Sequence, residues 1–90
     1  MNDDIVWRLV VTPRAEKDLK RLPTNEQARI RTAIDNLTAF PKQGDFKKLQ
    51  GNIDEWRLRV GDWRVRFRAD FDARTLVILR VLPRGSAYRD

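Results

Sequence analysis

Residues 55–69 alternate charged and apolar side chains one for one, and the alternation is interrupted once, by Gly61-Asp62. Period-two alternation is the pattern of a half-buried β-strand. A two-residue interruption that opens on Gly is the connection of a tight hairpin, type II′ in this order. The length of the turn fixes the register. Val60 is expected opposite Trp63, Arg59 opposite Arg64, Leu58 opposite Val65, Arg57 opposite Arg66 and Trp56 opposite Phe67. Side chains on a strand point to alternate faces. Trp56, Leu58, Val60, Trp63, Val65 and Phe67 therefore share one face, which other elements must cover. Arg57, Arg59, Arg64, Arg66 and Arg68 share the other.

The residues ahead of the hairpin supply that cover. Ile5-Val6-Trp7-Arg8-Leu9-Val10-Val11 is β-branched and aromatic, and reads as a strand. Thr12-Pro13 is an N-cap followed by Pro at the first helical position, so a helix is expected over 13–21. Ala15, Leu19 and Leu22 form its buried stripe, with Lys17, Lys20 and Arg21 outside. Pro23 ends it. Thr24 with Gln27 three residues on fits a capping box. A second helix follows to about Phe40, carrying Ile30, Ile34 and Leu37 on one face with Ala33 alongside. Residues 41–54 lack periodicity and read as a surface loop. After the hairpin, Asp72-Ala73-Arg74 turns the chain into a last apolar strand, Thr75 to Val81. The order β-α-α-β-β-β predicts a small single α+β domain over residues 1–90, with both helices on one face of an antiparallel sheet.

Arg80 can join the Arg face if the last hairpin carries a bulge near Arg74, with Val77, Leu79 and Val81 in the core. The other register buries Arg80 beside Leu76 and Ile78. The first is preferred, because an unpaired buried charge is costly.

Directly opposed like charges destabilise a sheet, and Glu55 beside Arg68 and Asp70 nearby are too few to balance five arginines. A face of this kind points to a polyanion or an acidic protein segment. The charge count agrees. Lys and Arg number 19 against 13 acids, a net charge of +6, and Arg supplies 14 of the 19 cations. Arg presents the planar fork that suits phosphate, so nucleic acid is the first partner class to consider. The chain has neither Cys nor His. That excludes disulfides, thiolate zinc sites, His–metal sites and Ser-His or Cys-His catalysis. No apolar run approaches the ~20 residues of a membrane span, and Met1-Asn2-Asp3-Asp4 is acidic where a signal peptide is basic. A cytoplasmic protein with no membrane partner is expected.

The segments Lys48-Leu49-Gln50-Gly51, Trp56 to Arg64, Arg80-Val81-Leu82-Pro83-Arg84 and Tyr88 resemble the RelE/ParE toxin superfamily, and its RelE-like branch most. Val10-Val11-Thr12-Pro13-Arg14-Ala15 and the helical hairpin fit as well. The resemblance covers nearly the whole chain, and the hairpin with its Gly-Asp turn is its specific part. It implies the microbial-RNase-like RelE fold. It also implies the toxin of a type II toxin–antitoxin pair, an mRNA interferase that enters the ribosome and cleaves mRNA. It further implies that the 2′-OH of the RNA is the nucleophile and that no metal or other cofactor takes part. The implied partners are a cognate antitoxin, in a toxin–antitoxin hetero-oligomer, and the ribosome with its mRNA. Carried over by position, the catalytic group is Arg57, Arg59, Arg64, Arg84 and Tyr88. RNA binding falls to Lys47, Lys48, Arg66, Arg68 and Arg80.

The chain departs from the pattern at three points. Relatives often carry Lys where Arg57 and Arg59 stand, and many carry His where Pro83 stands. Arg stays protonated and does not act as a general base. Tyr88 is then the candidate for moving the proton of the 2′-OH or for stacking on a base. Arg59, Arg64 and Arg84 would stabilise the phosphorane electrostatically. Removing Arg64, which points away from the core, is expected to leave the fold intact. Two alternatives stay open: a ParE-like toxin that inhibits DNA gyrase, and a relative that binds RNA or protein without catalysis.

Overall fold

The hairpin forms in the register its turn dictates. A computed structural model describes residues 6–40, 45–49 and 55–86. In it β3 (Glu55–Val60) and β4 (Trp63–Asp70) pair antiparallel, with Val60 opposite Trp63, Arg59 opposite Arg64 and Arg57 opposite Arg66. Gly61 has φ +59° and Asp62 does not share the positive φ, as a type II′ turn requires.

Thr12 caps α1 (Pro13–Lys20), its hydroxyl accepting from the Ala15 N–H at 3.1 Å. The stripe Ala15, Leu19, Leu22 is buried. The second helix, α2 (Thr24–Asp35), begins one residue earlier than the capping box requires. Pro23 is its N-cap, and the Gln27 N–H donates to the Pro23 carbonyl at 2.8 Å. Thr24 makes no cap bond, and Gln27, now a residue too far along, accepts instead from Arg31 Nε. A 3₁₀ turn, Asn36–Ala39, follows α2. That tighter turn buries Leu37 within it and Phe40 at its C-cap.

The sheet has five strands, in the order β1-β5-β4-β3-β2, where β1 is Arg8–Val11, β2 is Asp45–Lys48 and β5 is Thr75–Pro83. This sheet differs from the expected one in three ways. First, part of the expected loop is a strand: β2 pairs antiparallel with β3 at the sheet edge. Its sequence, Asp-Phe-Lys-Lys, has no alternation, and Lys is common on edge strands because it opposes further pairing. Second, β1 runs parallel to β5, so the sheet is mixed. Parallel neighbours need a long crossover, and here both helices and three strands lie between them in sequence.

Third, the bulge lies in the middle of β5. Thr75 pairs with Asp70 straight after the 71–74 turn, where Arg74 takes φ +51°. That sets Leu76 and Ile78 opposite Ala69 and Phe67, and all four are buried. An uninterrupted strand would next drive Arg80 inward. Instead Phe67 pairs with Ile78 and Arg66 with Arg80, leaving Leu79 as the extra residue. Val81 returns to the core and Arg80 falls on the Arg66 side. The core therefore takes Leu76, Ile78 and Val81, not Val77 and Leu79.

Both helices pack on the apolar face. Ala15, Leu19, Ile30, Ile34 and Leu37 join Leu58, Val65, Phe67, Leu76 and Ile78 in one cluster. Phe40 meets Trp7, Phe46, Trp56 and Phe67 edge-to-face, with centroids 5.0–5.6 Å apart. The Trp7 indole N–H donates to the Phe40 carbonyl at 2.8 Å. Arg31 joins the helices by an ion pair to Glu16. Among the described residues no helix is long and apolar enough to cross a membrane.

Candidate nucleic-acid interface

The helix-free face carries its charges in rows set by strand register. Lys47 of β2, Arg57 of β3, Arg66 of β4 and Arg80 of β5 stand side by side across four strands. The next row holds Asp45, Arg59, Arg64 and Leu82. Toward the other end, Glu55, Arg68 and Val77 follow. Of the ten candidate site residues, seven thus share this face by register: Lys47, Arg57, Arg59, Arg64, Arg66, Arg68 and Arg80. Lys48 does not, because it pairs with Trp56, in register with the opposite side of β3, and is exposed at the edge. Arg84 opens the 3₁₀ turn after β5 and is exposed. Tyr88 lies outside the described residues.

Arg59 and Arg68 are exposed and Arg57 is half-buried, while Arg64, Arg66 and Arg80 are largely covered and held by partners. Glu55 sits opposite Arg68, yet its carboxylate pairs diagonally with Arg66 at 3.1 Å, both side chains being largely covered. Diagonal neighbours on a sheet are within reach of a long side chain. Arg80 reaches round β5 to Asp18 of α1, Nε to Oδ2 at 2.9 Å and Nη2 to Oδ1 at 3.3 Å. Asp18 is 7% exposed and also accepts from the Val81 N–H at 2.9 Å. β1 pairs with β5 only as far as Ile78, so Asp18 takes over the edge that β1 leaves. A sheet edge buried under a helix needs such an acceptor.

Arg64 departs furthest from expectation. It faces away from the core but is only 8% exposed. Its Nη1 donates to the Gly61 carbonyl at 3.0 Å and to the Trp63 carbonyl at 2.9 Å. The third carbonyl of this turn, Asp62, accepts from the Arg84 N–H at 2.9 Å. The turn thus seats two candidate residues that are twenty positions apart in sequence. From the helical side, the Trp63 indole N–H donates to Glu26 Oε1 at 3.1 Å. The Arg29 guanidinium lies 2.7–3.0 Å from where a Cβ on Gly61 would stand. Asp18, Glu26 and Arg29 were not legible as site-supporting residues. Each reads as a solvated helix position, and only the fold brings it to its partner.

Arginines in this arrangement can bind phosphate and stabilise developing negative charge on phosphorus. Among the described residues no group of three or more His, Cys, Asp or Glu side chains is placed to hold a metal ion.

Comparison with known proteins places the chain. The model of the ParE toxin of the type II toxin–antitoxin system parDE matches residues 9–88. The chain belongs to the RelE/ParE toxin superfamily. Within it the protein lies on the RelE-like branch. RelE1 of Methanocaldococcus jannaschii is 31% identical over 87 residues, covering 93% of this chain and 97% of its own. The toxin of the archaeal RelE–RelB complex from Pyrococcus horikoshii superposes with a TM-score of 0.77 at 30% identity, over 91% of this chain and 99% of that one. The toxin–antitoxin complex RelBE2 of Mycobacterium tuberculosis gives 0.76 at 29% identity, over 89% and 100%. This RelE-like toxin therefore has the α+β RelE fold, two helices on a five-stranded sheet.

Proposed function

We propose that this RelE-like toxin is an mRNA interferase that cleaves mRNA in the ribosome and is held inactive by a cognate antitoxin. The observation that carries the reading is the gathering of Arg57, Arg59, Arg64 and the Arg84 backbone at the turn end of one open sheet face. Backbone contacts fall to Lys47 and Arg68. Arg66 and Arg80 add field while engaged with Glu55 and Asp18, and Lys48 serves from the sheet edge. The RNA 2′-oxygen attacks the adjacent phosphorus and the P–O5′ bond breaks. The products are a 2′,3′-cyclic phosphate and a 5′-hydroxyl. Arg59, Arg64 and Arg84 stabilise the phosphorane; Tyr88 receives the 2′-OH proton, or stacks on a base while water receives it, and water protonates the departing 5′-oxygen. The ribosome orients the 2′-OH, which supplies much of the rate. RelB is the antitoxin solved with the Pyrococcus relative, and this supports an antitoxin partner in a hetero-oligomer.

The matching family model is named for ParE, so inhibition of DNA gyrase is the second reading. Ribosome profiling after induction separates the two. The first predicts new mRNA 5′ ends within ribosome footprints. The second predicts intact mRNA and gyrase-linked DNA breaks.

A further inference from the structure

The β3–β4 turn is held from both sides of the sheet. On the open side, Arg64 takes the carbonyls of Gly61 and Trp63, and the Arg84 N–H takes that of Asp62. On the helical side, Glu26 holds the Trp63 indole, and Arg29, 4.0 Å from Glu26, lies over Gly61. Gly61 is required for its φ of +59°; the Arg29 guanidinium that a Cβ there would meet is the free end of a long, exposed side chain and can move aside. Glu26 is the third residue of α2 and, at the start of a helix, would ordinarily turn back to the helix's own N-terminal amides. Here its carboxylate crosses to the sheet. A two-residue hairpin needs none of these contacts to close, and their common consequence is a fixed position for the turn relative to α2.

We propose that Glu26 is a positioning residue: through the Trp63 indole it fixes the turn, and through the turn it fixes Arg64 and Arg84. In its activity arm this inference rests on the ribonuclease reading; in its structural arm it does not. Reacting groups must be held closely, and a displacement of about 1 Å costs on the order of a hundredfold in rate.

Two readouts test it on the full chain. The first is hydrogen exchange at the Arg84 amide, which the Asp62 carbonyl protects, with the Ile78 amide as a core reference. The second is kcat and KM for cleavage of ribosome-bound mRNA. Glu26→Ala and Trp63→Phe each remove one half of the indole contact. Both should speed exchange at Arg84 and not at Ile78, and lower kcat by about tenfold or more with KM unmoved. Glu26→Gln keeps an oxygen acceptor and should stay near the parent in both readouts. Parental exchange at Arg84 in Glu26→Ala overturns the inference, as does faster exchange with an unmoved kcat. If the parent itself cleaves no mRNA, the ribonuclease reading falls, and the exchange at Arg84 alone decides whether α2 holds the turn.

Discussion

Arg64 lies on the open face yet is only 8% exposed, because its Nη1 folds back onto the carbonyls of Gly61 and Trp63. A hydrogen bond from a charged donor contributes about 1.5–3 kcal/mol. Arg64→Ala should therefore lower unfolding stability by roughly 1–3 kcal/mol in a denaturant titration, beyond any effect on activity. An unchanged midpoint would mean that the carbonyls are equally well served by water. Asp18 is the other residue whose weight comes from backbone as well as charge. It serves Arg80 and the Val81 N–H together. Asp18→Ala leaves a largely covered guanidinium and an edge amide without that acceptor, and should cost about 2–4 kcal/mol. Asp18→Asn keeps one carbonyl oxygen for Val81 and should recover part of the loss.

The hairpin was fully legible in the sequence, because a two-residue turn leaves one register and the alternation says which face is buried. The N-cap Thr12 and the stripe Ala15, Leu19, Leu22 were legible for the same local reasons. The rest depended on partners far along the chain. β2 has no period of its own and exists because β3 offers it an edge. The bulge at Leu79 answers a conflict between Ile78, which belongs inside, and Arg80, which does not. Glu55 was expected to offset Arg68 and instead meets Arg66, a choice of diagonal over direct pairing that side-chain reach decides. Between the helices, hydrogen bonding from Arg31 holds the Glu16 carboxyl below its ordinary range, against the opposing effect of burial. A carboxyl so depressed adds stability above its unfolded pKa and loses it as pH falls through the folded value. Glu16→Gln should accordingly unfold at a lower temperature than the parent at pH 7, and the gap should close below about pH 4. A gap that persists in acid would assign the effect to packing.

For the molecule as a whole, the two faces of the sheet divide the work. The helices bury one, and the other carries a cationic row across four strands, partly neutralised by Glu55 and Asp18 at fixed places. Lys47, Arg59, Arg68 and Arg84 are exposed. About four phosphate contacts on a single strand give a log–log salt slope near −3 for RNA affinity. A flat affinity between about 50 and 200 mM salt would remove phosphate binding from the account. In the proposed reaction the 2′-OH of ribosome-bound mRNA is the nucleophile and this face stabilises the transition state. Programmed ribosomes carrying a defined mRNA, with and without a single 2′-deoxy substitution at the cleaved position, test it most directly. The proposed reaction requires cleavage of the ribose form alone, ending in a 2′,3′-cyclic phosphate, and loss of that cleavage in Arg64→Ala and Arg84→Ala that remain folded. Cleavage of the deoxy form at the same bond would contradict it, as would an intact mRNA alongside inhibited gyrase supercoiling.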